Sequence, residues 1–390
     1  MKIAYNETWL HHLQLAKEVR QWQKHNLISR EQYNSIVVEY PSSFFHPNFI
    51  IRVLLFIASL IALSGATGLL ALFFAEVLEQ IISGLCIMYG VGSFVFLEIV
   101  FIKNAKHYKS GVTEAILYHA IGFTLGGVGG LVDFNTHVMV ISTLMLCSFC
   151  AFRYLDLVST AASIGALAFL IFFELYTAGG ILQQIIPIVL IIFFMPLYLL
   201  IRKQKDKSET ELWQNCLILA EALTLLIVYA AGNYLVVREL SISLMNLDIS
   251  EGSDIPFAFI FYFLTVVIPL TYIFFGLKNK DIVLIRVSLL VLAFSVFTFK
   301  YYYSMGHPEI TLTLSGALLL VVTILLFRYL KVPKHGYTRE NILSDKWGGN
   351  ANLQAFMMSQ TLGGNHPVDN QGPEIGSGGS SAGGGSTENF

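Results

Sequence analysis

Long apolar runs separated by short polar breaks dominate this chain. The stretch 51–74 reads IRVLLFIASLIALSGATGLLALFF and carries no charge between Arg52 and Glu76. Twenty-four helical residues rise roughly 36 Å, enough to cross a hydrocarbon core of about 30 Å with some tilt. A helix of that length that is apolar on all sides predicts a membrane span. Nine more runs of the same kind follow, and the spans expected are 51–74, 80–102, 112–132, 135–152, 157–177, 181–201, 212–236, 256–277, 281–300 and 309–330. Gly179-Gly180 and the Gln183-Gln184 pair divide the fifth from the sixth. The fold class is therefore all-α, a polytopic integral membrane helix bundle of about ten transmembrane helices.

The polar segments change character along the chain. Residues 1–48 predict a small helical hairpin. In its first helix, from Thr8 to about His25, Trp9, Leu13 and Ala16 fall on one face. Ser29 and Gln32 form a capping box for the second helix, whose stripe is Tyr33, Ile36, Val37 and Tyr40, and Pro41 stops it. A hairpin this small buries little surface alone, so packing on the membrane domain, on a second copy or on a partner is expected, the first being favoured. Residues 49–330 form the transmembrane bundle. Residues 331–390 form a tail that is expected to be largely disordered: a short amphipathic piece at Leu353–Met358 is followed by Gly, Ser, Asn and Pro. The first apolar run starts behind a long polar segment without a cleavage-site pattern, so span 1 is expected to act as the insertion signal.

Charge sets orientation. Of 24 Lys and Arg, 21 fall on the side of the two termini, Arg238 and Lys300 on the other, and Arg286 within a span. By the positive-inside rule both termini are cytoplasmic. The other side is acidic, with Glu76, Glu79, Asp133, Asp248, Glu251 and Asp254. Tyr301-Tyr302-Tyr303 at an outer span end fits an interfacial aromatic belt. The composition is 55% hydrophobic and only 13% charged, about half the charge of a soluble domain.

Ionisable groups within spans are costly and are functional candidates by default. They are Glu98, Glu114, His119, Glu174, Glu221 and Arg286. Glu98, Glu114, Glu221 and Arg286 share the cytoplasmic part of the bundle, so pairing of Arg286 with Glu221 or Glu114 is expected. His119 lies deeper, where a proton relay is one use. Glu174 lies near the outer end, within reach of headgroups. Span 3 carries Gly122, Gly126, Gly127, Gly129 and Gly130. The fourfold spacings 122/126 and 126/130 fit close helix packing, the alternative being a broken helix at an ion site beside Asp133. Cys147-x-x-Cys150 has redox or zinc spacing but sits in an apolar helix, where small packing residues are the favoured reading. No metal, cofactor or nucleic acid is expected, and no Ser/His/Asp array or HExxH motif points to an enzyme.

Asn26-Leu27-Ile28-Ser29-Arg30-Glu31-Gln32-Tyr33, with Tyr40 and an apolar Gly-containing span behind it, resembles the start of bacterial predicted membrane proteins of domain-of-unknown-function family 2157. Ile285-Arg286, Phe297, Lys300-Tyr301-Tyr302, Leu314-Ser315-Gly316-Ala317-Leu318-Leu319 and Arg328-Tyr329-Leu330-Lys331 look like the closing spans of such proteins. The Gly/Ser-rich end is similar to tails on membrane proteins of the Bacteroidetes type. This chain departs from the family at Ala71-Leu72-Phe73-Phe74, where tryptophans are often found. The resemblance implies a multi-pass protein of the bacterial inner membrane with a cytosolic N-terminal helical domain, and implies no activity. The expected function is a non-enzymatic scaffold or sensor, with the bilayer as one partner and a protein bound through the hairpin or the tail as another. The alternatives are a secondary transporter or channel, in which Glu114, His119, Glu221 and Arg286 line one cavity, and last a membrane enzyme.

Overall fold

The computed structural model describes residues 2–73, 78–243 and 254–302, with a few isolated positions between 313 and 328. The expected tenth span, the C-terminal tail and most of the 237–255 loop lie outside the described residues. Within them the chain is an all-α helix bundle. Its helices are α1 (Glu7–Lys24), α2 (Arg30–Glu39), α3 (Phe49–Phe73), α4 (Leu78–Phe96), α5 (Val112–Leu131), α6 (Thr136–Tyr154), α7 (Leu157–Ala178), α8 (Gly180–Gln184), α9 (Ile186–Lys205), α10 (Gln214–Gly232), α11 (Tyr234–Ser243), α12 (Ala258–Asn279) and α13 (Ile282–Tyr302). A π-helical stretch, Leu97–Asn104, extends α4, and a 3-10 turn, Ser208–Trp213, leads into α10. Among the described residues eight helices are long and apolar enough to cross a membrane. The 20-residue α5, which carries Glu114, His119 and five glycines, is not among them.

The caps follow the sequence. Ser29 accepts from the Gln32 N–H (3.1 Å) and Gln32 accepts from the Ser29 N–H (2.9 Å), the reciprocal box expected of α2. Asn6, Asn135 and Asp156 cap α1, α6 and α7 through their side chains. Gly179 and Gly180, with φ of 67° and 60°, break the chain between α7 and α8 where the Gly-Gly pair predicted it.

Neighbouring helices pack as α4 with α5, α6 with α7, α9 with α10 and α12 with α13, and α3 leans on α5. The centre is α10, which touches α7, α9, α12 and α13 and buries eleven of its residues, Ala220, Leu225, Val228 and Tyr229 among them. In contrast α3 buries none of its apolar window, as a helix does when lipid rather than protein is its solvent.

Two details differ from the sequence reading. The seventh span does not run to 236. It stops at Gly232, and Asn233 takes an extended conformation and caps α11 by accepting from the Val236 N–H (3.2 Å). Close packing of α5 on α4 is present, but not at Gly122 and Gly126, which have nothing within 4 Å of an added Cβ. The contact face is Gly127 and Gly130, against Ser83 and Ile87, with Gly90 of α4 against Thr124. An alanine methyl at 127 would lie 2.6 Å from the Ser83 carbonyl oxygen and 2.8 Å from the Ile87 nitrogen. Both are backbone atoms that cannot swing aside. Gly127→Ala is therefore expected to cost about 1–3 kcal/mol, whereas Gly122→Ala should be neutral or stabilise by up to about 1 kcal/mol. Unfolding of the detergent-solubilised variants, compared side by side, checks both signs.

Candidate functional site: a polar cavity at the basic end of the bundle

The carboxylates within the bundle find cations on neighbouring helix ends. Glu98, on the π-helical stretch, takes two hydrogen bonds from Arg153 (Nε 2.9 Å, Nη2 2.8 Å) and one from the Tyr154 hydroxyl (3.1 Å). Arg153 also donates to the Lys2 carbonyl (2.7 Å), and its own carbonyl accepts from the Ala4 N–H (2.9 Å). One guanidinium thus ties α6, the end of α4 and the first residues of the chain together. Glu114 accepts from Arg52 of α3, from the Gly111 N–H (2.8 Å) and from the Thr113 hydroxyl (2.8 Å). Glu221 is fully buried and accepts from the Lys205 ammonium at 2.5 Å. Asp281, at the start of α13, lies 3.6 Å from Arg202.

These partners correct the expected pairing: Lys205 serves Glu221 and Arg52 serves Glu114. Of Glu114, His119, Glu221 and Arg286, Glu114 alone lines the polar cavity at the basic end. His119 lies 3.2 Å from the Tyr89 hydroxyl and packs against Phe123 in the α4–α5 seam. Glu174 meets His137 (2.7 Å) at the opposite end of the bundle, where both are exposed. Cys147 and Cys150 are buried free thiols.

Around Glu114 lies a cavity of about 170 Å³. Its walls come from Tyr5, from Arg52, from Lys109, from Thr113, Leu117 and Tyr118 of α5, and from the α6–α7 junction at Tyr154 to Val158. That junction is two residues long. Leu155 adopts a left-handed conformation (φ 56°) while buried, and Asp156 then caps α7 by accepting from the Ser159 N–H (2.6 Å) and takes the Tyr118 hydroxyl (2.9 Å). The opposite wall depends on Gly111. Its φ is 91°, and a Cβ there would lie 2.1 Å from the Arg52 carbonyl oxygen, so only glycine lets the loop before α5 touch α3 and bring Glu114 to Arg52.

The N-terminal residues roof the cavity. Ile3, Tyr5 and Leu10 are buried in one cluster with Leu97, Ile116, Tyr108 and Tyr154. Tyr5 packs edge-on against Tyr108 (5.0 Å between centroids), Trp9 against Phe44 (5.4 Å), and Lys106 sits 4.9 Å above the Trp9 ring. Phe45 pairs with the 106–108 backbone through Phe45 N–H to Lys106 O (2.9 Å) and Tyr108 N–H to Phe45 O (3.2 Å).

This roof is basic. Burial works against the charge on Lys109, but Tyr108, Cys216 and Glu114 outweigh burial and the repulsion of Arg52, and its pKa lies above the usual lysine value. Lys17 is exposed on α1, yet desolvation at its ammonium and the like charges of Lys109 and Arg52 pull its pKa below that value. Burial first, then the Lys17 charge, push His46 down to about 4. The Tyr5 phenol is held well above its ordinary range, first by burial and then by the Glu114 carboxylate, so it stays protonated.

Sequence reasoning placed Glu98 and Glu114 here but missed Tyr5, Arg52, Lys109 and Asp156. Asp156-x-x-Ser159 is a helix N-cap signature between two apolar runs and marked that residue; Tyr5 carried no such signal. No family model, curated protein or solved structure matches this chain.

The site predicts a pH dependence. As pH falls below about 6.5, the unfolded chain takes up the His46 proton before the folded one does, so stability is lost down to pH 4 and the loss then levels off. The loss is on the order of 1–3 kcal/mol, and His46→Leu should remove it. Unfolding of wild type and variant between pH 7 and pH 4 measures the difference.

Proposed function

We propose that this chain is a membrane-anchored scaffold or sensor that presents its N-terminal hairpin to a protein partner. The observation that carries this reading is α2. It has a stripe of Tyr33, Ile36 and Val37 beside an exposed Val38 and Tyr40, yet buries no residue, and among the described residues its main packing partner is α1. Apolar surface left open on a rigidly held polar segment is the usual mark of a binding face. The Glu98–Arg153 pair and the buried Ile3 and Tyr5 supply the rigidity, so a change among α3–α7 reaches α2 through few intervening atoms. The basic end of the bundle is the cytoplasmic one on the positive-inside rule, which sets the hairpin in the cytosol. The bacterial inner membrane, ten spans, a cytosolic tail and kinship with family 2157 belong to the same proposal. The Leu-Ile-Ser-x-Glu-Gln segment that suggests the family contains the capping box of α2, so a structural role explains that part of the motif.

A secondary transporter is the second reading, favoured by the break at Asn233. There Asn233 donates to the Tyr229 hydroxyl (2.9 Å) and the Thr298 hydroxyl (2.9 Å), and the Tyr234 N–H meets Thr265 (2.9 Å). A broken helix beside hydroxyls and an amide is where coupling ions sit in such proteins. Here, however, these groups satisfy one another. Pro269 lacks the N–H that would bond the Thr265 carbonyl, and Ser295 supplies the missing donor at 2.9 Å.

Photocrosslinking in intact cells separates the readings. A crosslinking amino acid at Val38 or Leu27, both exposed, is expected to trap one discrete protein, whereas the same group at lipid-facing Leu54 traps none. Absence of an adduct from both hairpin positions would sink the scaffold reading.

A further inference from the structure

We propose that the cavity beneath the N-terminal segment takes the phosphate-bearing headgroup of an anionic phospholipid, with Lys109 as its main cation. Three features of the molecule converge on this ligand.

The first is chemistry. Lys109, Arg52 and Tyr5 line the cavity, while the Tyr118 and Thr113 hydroxyls in its wall already donate to Asp156 and Glu114. Among the described residues no carboxylate lies within 4.0 Å of the Lys109 ammonium. Arg52 gives Glu114 one of its nitrogens, and a guanidinium has five N–H donors. Glu114 and Asp156, the two carboxylates in the wall, would repel an anion if bare. Glu114 is neutralised by Arg52 and also held by Gly111 and Thr113; the Asp156 carboxylate accepts only from Tyr118 and the Ser159 N–H and keeps its charge, which leaves Lys109 as the cation that an anion would meet.

The second is size. About 170 Å³ is the room of roughly five or six liquid waters, enough for a phosphodiester and its first substituent but not for a folded peptide or a nucleotide.

The third is position. The cavity stands at the basic end of the bundle, where Lys17, Lys103 and Lys106 surround it on exposed surface. Its rim at Leu157 and Val158 belongs to α7 and is exposed, which leads from the cavity to the lipid-facing side of the bundle. A pocket that holds Lys109 and has an exposed apolar rim suits a lipid headgroup; a soluble anion would have no use for the apolar rim. The inference needs only the cavity and does not depend on α2 having a partner.

The test uses the purified full-length protein in neutral detergent, with thermal unfolding and native mass spectrometry. Dioleoylphosphatidylglycerol, dioleoylphosphatidylcholine and inorganic phosphate are added separately. Wild type is expected to gain at least about 3 °C with phosphatidylglycerol and little with the other two. Lys109→Gln is expected to lose most of that gain and about fivefold in retention of phosphatidylglycerol over phosphatidylcholine. Lys109→Arg should restore the preference, and Lys278→Gln, an exposed control on α12 away from the cavity, should leave it unchanged. The proposal is overturned if wild type does not prefer phosphatidylglycerol, if Lys109→Gln keeps the full preference, or if inorganic phosphate gives the same gain. If Lys109→Gln does not fold, competition of the three ligands on wild type and on Lys109→Arg gives the same decision.

Discussion

A carboxylate inside a helix bundle must have a cation or several donors beside it, because the desolvation of a bare charge outweighs what packing supplies. That constraint organises one end of this protein. Glu98 holds Arg153, Glu114 holds Arg52, Glu221 holds Lys205, and Asp281 faces Arg202. Three of the four pairs join elements that the chain does not place next to each other, and Lys205–Glu221 closes the α9–α10 hairpin, so the pairs act as staples between helix ends. The N-terminal segment docks because Arg153 has donors to spare after Glu98 is served, and the backbone at Lys2 and Ala4 uses the same residue. Loss of Lys205 would leave the fully buried Glu221 without its cation, at a cost of about 3–5 kcal/mol.

The rest of the bundle follows from what is left over. With charge gathered at one end, the middle is built from apolar contacts around α10 and from small residues that let helices approach, as at Gly127 and at Gly232 against Ile268. The polar groups that remain deep in the protein, Asn233, Thr265, Ser295 and Thr298, bond to one another. A network that satisfies itself fixes a helix break in place and leaves little for a passing ion.

The membrane class, eight of the expected spans and the α2 cap were legible in the sequence, because each rests on local pattern: apolar run length, Gly-Gly breaks, Ser29 with Gln32. Which carboxylate meets which cation was not legible. Arg286 is close to Glu221 in depth, but depth says nothing about rotation around the bundle, and Lys205 reaches Glu221 from the end of α9 instead. Lys109 was counted only as one of many loop cations, since its place in a cavity wall depends on a glycine with φ of 91° two residues later. The glycine register failed for a similar reason. Spacings of three and four are both compatible with one helix face, and only the partner helix chooses between them.

The claim most exposed to test is that these charges staple helices and do not carry a transport path. Purified protein in liposomes, assayed for proton and monovalent-cation flux under an imposed gradient, measures it directly, with Glu221→Gln as the comparison. No flux above protein-free liposomes, together with a lower melting temperature for the variant, is the predicted result. A gradient-driven flux that Glu221→Gln abolishes while the protein stays folded would contradict the account.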